Sequence, residues 1–521
     1  MRRMTLPLIA LLLTAGTACT AEAEAPPPRD PLTVETTAGT VRGVHSGAVD
    51  RYLGIPYAAP PTGDRRWTPP QPPGRWSGVR PADRHQKACA QGATRPATSE
   101  DCLYVDVTAP AGRRGRPKPV LVWLHGGGFS EGAGVDYDPS RLAAQGDLVV
   151  VTVDFRLGVF GFFAPRGVAG SGTYGLLDQQ AALRWVRDEI AGFGGDPGRV
   201  TLAGQSGGAI GACAQLTAPS SAGLFHRVIL QSASCDTEIA RDSSPTGNPR
   251  FRFWRPLADV ERTSEDAAAA LGCRGDDSLA CLRALPDRAF DKQYPLFGSA
   301  AFGTPLLPRD PREALHAGAA ARVPVLAGVT RDEHRLTAGL FALAGWQWTA
   351  AGHTDLMTRA FGDRAGEVLG RYPATGDGAL AWAAVFTDRM WVCPQVAAAT
   401  ALAGTMPVYT YEFADPRAQP VTDLPAGFPA GASHGSELPM LFEVAGRQPL
   451  AGARYDDAQR RLAGSMVERW AAFARTGRPA EEAAWPRLTA GATTLRLAPD
   501  GPALIDLAAA HQCAFWRTVP A

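Results

Sequence analysis

The chain has 521 residues, 45% hydrophobic and 20% charged, a balance that excludes an intrinsically disordered protein. Lys plus Arg number 52 against 51 Asp plus Glu, a formal net charge of +1. With no basic excess, nothing in the charge supports nucleic-acid binding.

In chain order, the first feature is an export signal. Met1-Arg2-Arg3 is basic, and Leu6 to Ala15 is an apolar run too short to span a bilayer. Residues 1–25 therefore read as a signal peptide. Two cleavage points compete: one near Ala23 or Ala25, the other just before Cys19. Gly16-Thr17-Ala18-Cys19 resembles the lipoprotein cleavage box, with Gly16 where Leu is usual. Residues 26–33 read as a tether and 34–521 as a single domain. The expected location is extracytoplasmic, with a lipid on Cys19 the only route to a membrane.

Export makes disulfides the natural reading of the nine cysteines. Spacing favours two local loops, Cys89 to Cys102 and Cys273 to Cys281. No spacing matches a paired zinc-ligand pattern, and no metal is expected.

Beyond the cysteines, Pro119 to Leu124, Leu148 to Val153, Arg199 to Ala203, Arg227 to Leu230, Val323 to Ala327 and Pro407 to Phe413 are short apolar runs, readable as buried strands. Between them, Gly175 to Ala191 repeats its apolar residues at helical spacing, and a second helical stretch begins at Ala209. Continuous apolar strands alternating with helices predict an α/β fold with a largely parallel sheet. Residues 236–320 and 335–400 are richer in Ala, Arg and Pro and predict helical insertions over the sheet.

Gly204-Gln205-Ser206-Gly207-Gly208 lies between a strand and a helix. Gly-x-Ser-x-Gly in that setting marks a nucleophile elbow: the turn is so sharp that residues two either side of the serine must be small. His125-Gly126-Gly127-Gly128-Phe129 directly follows another strand. Acyl transfer generates an oxyanion, which needs N–H donors converging on one point, and glycines allow that bend. Gly127, Gly128 and Gly207 are the expected donors, and His125 is expected to brace the loop. A serine nucleophile also needs a base and an orienting carboxylate, in the chain order Ser, acid, His. Asp332 and Glu333 both follow the strand near Val323 and both fit. Of the histidines beyond, His334 adjoins the acid, His353 lies in an insertion and His511 in the tail. His434, in the loop Gly431 to Glu437, is the best placed.

These motifs, with Ser99-Glu-Asp-Cys102-Leu-Tyr-Val105, Asp154-Phe-Arg-Leu-Gly158 and Gly192-Phe-Gly-Gly-Asp-Pro197, resemble the type-B carboxylesterases, from about Val34 to Trp516. The resemblance implies an α/β-hydrolase fold with helical insertions capping the site. It implies Ser206, Glu333 and His434 as triad, choosing Glu333 over Asp332. It also implies disulfides Cys89–Cys102 and Cys273–Cys281, and a third, Cys393–Cys513, as in some members. Cys213 and Cys235 are left either paired or free. The sequence departs from the family at two positions: Gln205 stands where Glu is common and Gly207 where Ala is common. The Cys89 to Cys102 loop also lacks the aromatic residue that choline-binding relatives use, which argues against a dedicated cholinesterase. The expected activity is hydrolysis of small-molecule carboxylic esters without metal or cofactor. A long-chain lipase is the rival within enzymes, and a non-catalytic adhesion or scaffold relative the rival outside them.

Overall fold

In a computed structural model, residues 30–519 are described, apart from 93, 94, 96, 113, 114, 375, 453 and 490–492. The signal peptide and Cys19 fall outside the described residues.

Eleven strands form one sheet: β1 (Val44–Ser46), β2 (Val49–Pro56), β3 (Tyr104–Pro110), β4 (Lys118–Leu124), β5 (Val149–Val153), β6 (Gly195–Gln205), β7 (Arg227–Gln231), β8 (Val325–Thr330), β9 (Val408–Phe413), β10 (Thr493–Leu497) and β11 (Ala503–Asp506). Their spatial order is β1-β2-β3-β5-β4-β6-β7-β8-β9-β10-β11. From β5 to β10 every neighbouring pair is parallel, and only the two ends are antiparallel. The fold is that of an α/β-hydrolase.

The apolar runs are continuous because both faces of the sheet are covered. Side chains alternate between the two faces. Val120, Val122, Leu202, Val228, Leu230 and Val325 enter one core layer. Leu121, Trp123, Ala203, Ile229, Leu326 and Tyr409 enter the other. The first layer is closed by α1 (Tyr174–Glu189), α2 (Gly207–Thr217) and α3 (Cys393–Ala403), through residues such as Leu183, Ile210 and Leu402. The second is closed by α4 (Asp457–Thr476), through Leu462, Met466 and Trp470. α4 is delimited by its own chemistry. Asp456 and Gln459 form a reciprocal capping box at its start, and Gly477 ends it in the left-handed conformation.

The insertions differ from expectation in one respect. Residues 335–400 are helical, ending in a turn of π-helix, Thr387–Val392, that runs into α3. Residues 236–320 also contain two small two-stranded sheets, Glu238–Ile239 with Phe251–Arg252 and Trp254–Pro256 with Ala300–Phe302. Those strands are too short for any periodicity to show. Disulfides join Cys89 to Cys102, Cys213 to Cys235, Cys273 to Cys281 and Cys393 to Cys513. The pair left open by the sequence ties α2 to the segment after β7.

Candidate active site

Parallel register brings the carboxyl ends of the central strands level. Leu124 pairs with Gly204, Gln205 with Gln231, Gln231 with Gly328, and Thr330 with Phe413. The loops leaving those ends carry the glycine run, Ser206, Glu333 and His434, where α/β sheets place their ligands.

Ser206 sits between β6 and α2 at φ 54° and ψ −123°, a strained conformation for a residue with a Cβ. The closeness of the turn explains its neighbours. A Cβ on Gly204 would fall 2.4 Å from the carbonyl of Gly208, and one on Gly208 would fall 2.0 Å from Leu124 O. The Ser206 N–H donates to Gln231 O at 2.9 Å, fixing the elbow to β7.

Glu333 is fully buried. Its Oε1 accepts from the Thr330 N–H at 2.7 Å, and its Oε2 lies 2.5 Å from His434 Nδ1. The His434 N–H also donates to Glu333 O at 3.1 Å. Asp332, the alternative acid, is turned the other way and bonds Arg331, Arg335 and the Ala432 N–H. Burial would depress the His434 pKa, but the Glu333 charge and hydrogen bond outweigh it, so the imidazole is held above its ordinary value. With Nδ1–H given to Glu333, Nε2 carries the lone pair. That atom lies 3.2 Å from Gln205 Nε2, in the residue adjoining Ser206. Among the described residues no hydrogen bond reaches Ser206 Oγ.

Gly127 and Gly128 have φ of 103° and 59°, which only glycine adopts without strain. Among the described residues their N–H groups have no partner. Gly128 N lies 2.6 Å from where a Cβ on Gly207 would stand, so the glycine loop rests against the start of α2. His125 is buried and stacked on Phe155 at 4.4 Å. Its Nδ1 meets Gly126 O at 2.8 Å, and burial pushes its pKa down to about 4, so a neutral ring braces the loop. The other two histidines set aside are elsewhere: His353 bonds Tyr372 O, and His511 lies between Asp388 and Glu412.

Two side chains here, Trp391 and Glu437, escaped the sequence reading. Trp391, from the π-helical turn, lies against the His434 ring at 4.3 Å between centroids. Its N–H donates to His334 Nδ1 at 3.3 Å, and His334, kept neutral by burial at about 3, contacts Ser243 O through Nε2. Glu437, three residues after His434, accepts from Gln231 Nε2 at 3.1 Å. Burial first, then the Glu333 charge, raise its pKa to about 7. The run His434-Gly-Ser-Glu437 was a usable sign of a second acid near the base; nothing in the sequence pointed to Trp391.

A family model described as "Carboxylesterase family" matches residues 30–353 and 375–516. The chain belongs to the carboxylesterase family. It is similar to a para-nitrobenzyl esterase of Bacillus subtilis (strain 168), 34% identical over 87% of this chain and 92% of the relative. It is also similar to a fumonisin B1 esterase of Sphingopyxis macrogoltabida, 35% identical over 88% and 85%, and to a human cocaine esterase, 32% identical over 92% and 88%. This carboxylesterase is a carboxylic-ester hydrolase, and its substrates are small-molecule esters.

Proposed function

We propose that the chain is an extracytoplasmic serine carboxylesterase, with residues 34–521 as one catalytic domain acting through Ser206, Glu333 and His434. The observation that carries this reading is the Glu333–His434 contact of 2.5 Å, near two glycine amides that have no partner among the described residues. Completing the relay needs the Gln205 amide to yield His434 Nε2 to Ser206 Oγ. Nε2 then takes the serine proton as Oγ bonds to the ester carbonyl carbon. The carbonyl electrons move onto oxygen, which the N–H groups of Gly127, Gly128 and Gly207 hold; one such donor is commonly worth about 10²–10³ in rate. As the carbonyl re-forms, the bond to the alcohol breaks and the histidinium returns its proton to the leaving oxygen. Water repeats the sequence on the acyl-enzyme and frees the acid. Glu333 keeps the ring oriented and stabilises its charged form.

Four disulfides among the described residues suit an oxidising compartment. No helix among them is long and apolar enough to cross a membrane. The leader at residues 1–25, or a lipid on Cys19, would account for export. A fluorophosphonate tests the reading. Stoichiometric labelling that Ser206→Ala abolishes is expected, with turnover of short para-nitrophenyl esters. Failure of the folded wild type to label would point to a non-catalytic scaffold, and turnover confined to emulsified triglyceride would point to a lipase.

A further inference from the structure

Ser206 is not the only strained residue at the elbow. Ser232, which directly follows β7, also has φ 54°, a backbone state that is costly for a residue with a Cβ. The two stand across one hydrogen bond, because the Ser206 N–H donates to the carbonyl of Gln231, the residue before Ser232. Cys213 lies along α2 from Ser206, and Cys235 lies along the chain from Ser232. Their disulfide closes a ring. Residues 206–213 form one side and residues 231–235 the other. The Ser206–Gln231 hydrogen bond joins the sides at one end, and the sulfur bridge joins them at the opposite end.

The two sides are held unequally. On the β7 side, Gln231 Oε1 accepts from Trp470 Nε1 at 3.0 Å and Gln231 Nε2 donates to Glu437 at 3.1 Å. The Ser232 N–H donates to Gly328 O at 2.8 Å, and Cys235 O accepts from Trp254 Nε1 at 2.8 Å. Glu437 belongs to the loop of His434, so this side is tied to the base. The α2 side begins weakly. The helix opens on Gly207-Gly208 and carries Gly211, and glycine is the poorest helix former after proline. Strain like that of Ser206 persists only where the surroundings over-determine it, and one backbone hydrogen bond does not do so. The bond between the two buried cysteines supplies a second fixed point.

We infer that Cys213 and Cys235 are positioning residues: their bond holds α2 to the segment after β7, so that Ser206 keeps its strained conformation and its place relative to His434. The inference rests on the reading of Ser206 as nucleophile and goes further by giving this bridge a part in turnover.

The test removes the bond with Cys213→Ala/Cys235→Ala and, as a control, the insertion's bridge with Cys273→Ala/Cys281→Ala. Each pair frees the unfolded chain of a loop constraint, so both should unfold at lower urea. Well below either midpoint, kcat and KM on para-nitrophenyl butyrate and the rate of fluorophosphonate labelling are read. The 213/235 pair should lose at least about tenfold in kcat, with KM within about twofold and labelling slowed in proportion. The control pair should keep all three within about twofold of wild type. If the Ala pair does not fold, Cys213→Val/Cys235→Ala, which refills the space of the sulfurs, is read in the same way. A 213/235 pair within about twofold of wild type, a control that loses as much, or failure of both 213/235 pairs to fold overturns the positioning role with the esterase reading intact. Absence of labelling in the wild type overturns the esterase reading itself.

Discussion

The side-chain amide of Gln205 lies 3.2 Å from Nε2 of His434. An amide N–H there bonds the lone pair of a neutral imidazole, and it adds no charge beside an imidazolium. A carboxylate at the same place would favour the charged ring. The proposed mechanism requires neutral His434, so Gln205→Glu should move the acidic limb of the kcat/KM–pH profile upward by about one unit. The wild type should stay active to lower pH than the variant. Coincident acidic limbs would refute this role for Gln205.

Gly207 and Gly128 are in near contact, and a methyl group at 207 would stand 2.6 Å from the Gly128 nitrogen. In this chain the glycine loop occupies the space that a side chain at position 207 would fill. Gly207→Ala should push the Gly128 amide off its proposed oxyanion position and lower kcat about tenfold or more, with KM little changed. Unaltered kcat would mean the loop retreats at no cost.

Trp391 covers one face of His434 and is itself pinned by neutral His334. An aromatic face stabilises a cation lying over it. Trp391→Leu should lower kcat about tenfold and shift the acidic limb downward, because the histidinium loses that support. Trp391→Phe keeps the face and should keep the limb near its wild-type place. A Leu variant with an unmoved limb would reduce Trp391 to simple packing.

Much of this arrangement was legible before the structure, for physical reasons. Val120 to Leu124 and Val149 to Val153 are buried on both faces, so their composition alone marks them. β2 and β3 were missed because Gly54 and Pro56 interrupt one, and Asp106 and Thr108 dilute the other. Chain order singled out the loops of Ser206 and His434 and left Asp332 and Glu333 level; the choice of Glu333 came from the family resemblance, because two adjacent carboxylates cannot be told apart by strand order. Cys213 and Cys235 became neighbours through the packing of α2 beside β7, which no spacing rule encodes. Trp391 reaches the ring only because an insertion folds back over the strand ends.

His511 is buried between Asp388 at 2.5 Å and Glu412 at 2.8 Å. Burial opposes its charge, but the two carboxylates raise its pKa to about 9. Asp388 also accepts from the Tyr372 hydroxyl, which accepts from Trp516 Nε1. A histidine whose folded pKa exceeds its unfolded value stabilises fully below the unfolded value, near 6.5, and that support fades as pH rises through about 9. The urea midpoint should therefore fall between about pH 6.5 and 9. His511→Gln should flatten that decline, measured by tryptophan fluorescence; an equally steep decline would assign it to other groups.

Asp388 and Trp391 share the π-helical turn Thr387–Val392. One grips the tail through His511 and the other leans on the His434 ring. Clipping the polypeptide before His511, or fusing a reporter there, would release Asp388 and so loosen the turn that holds Trp391 against the His434 ring.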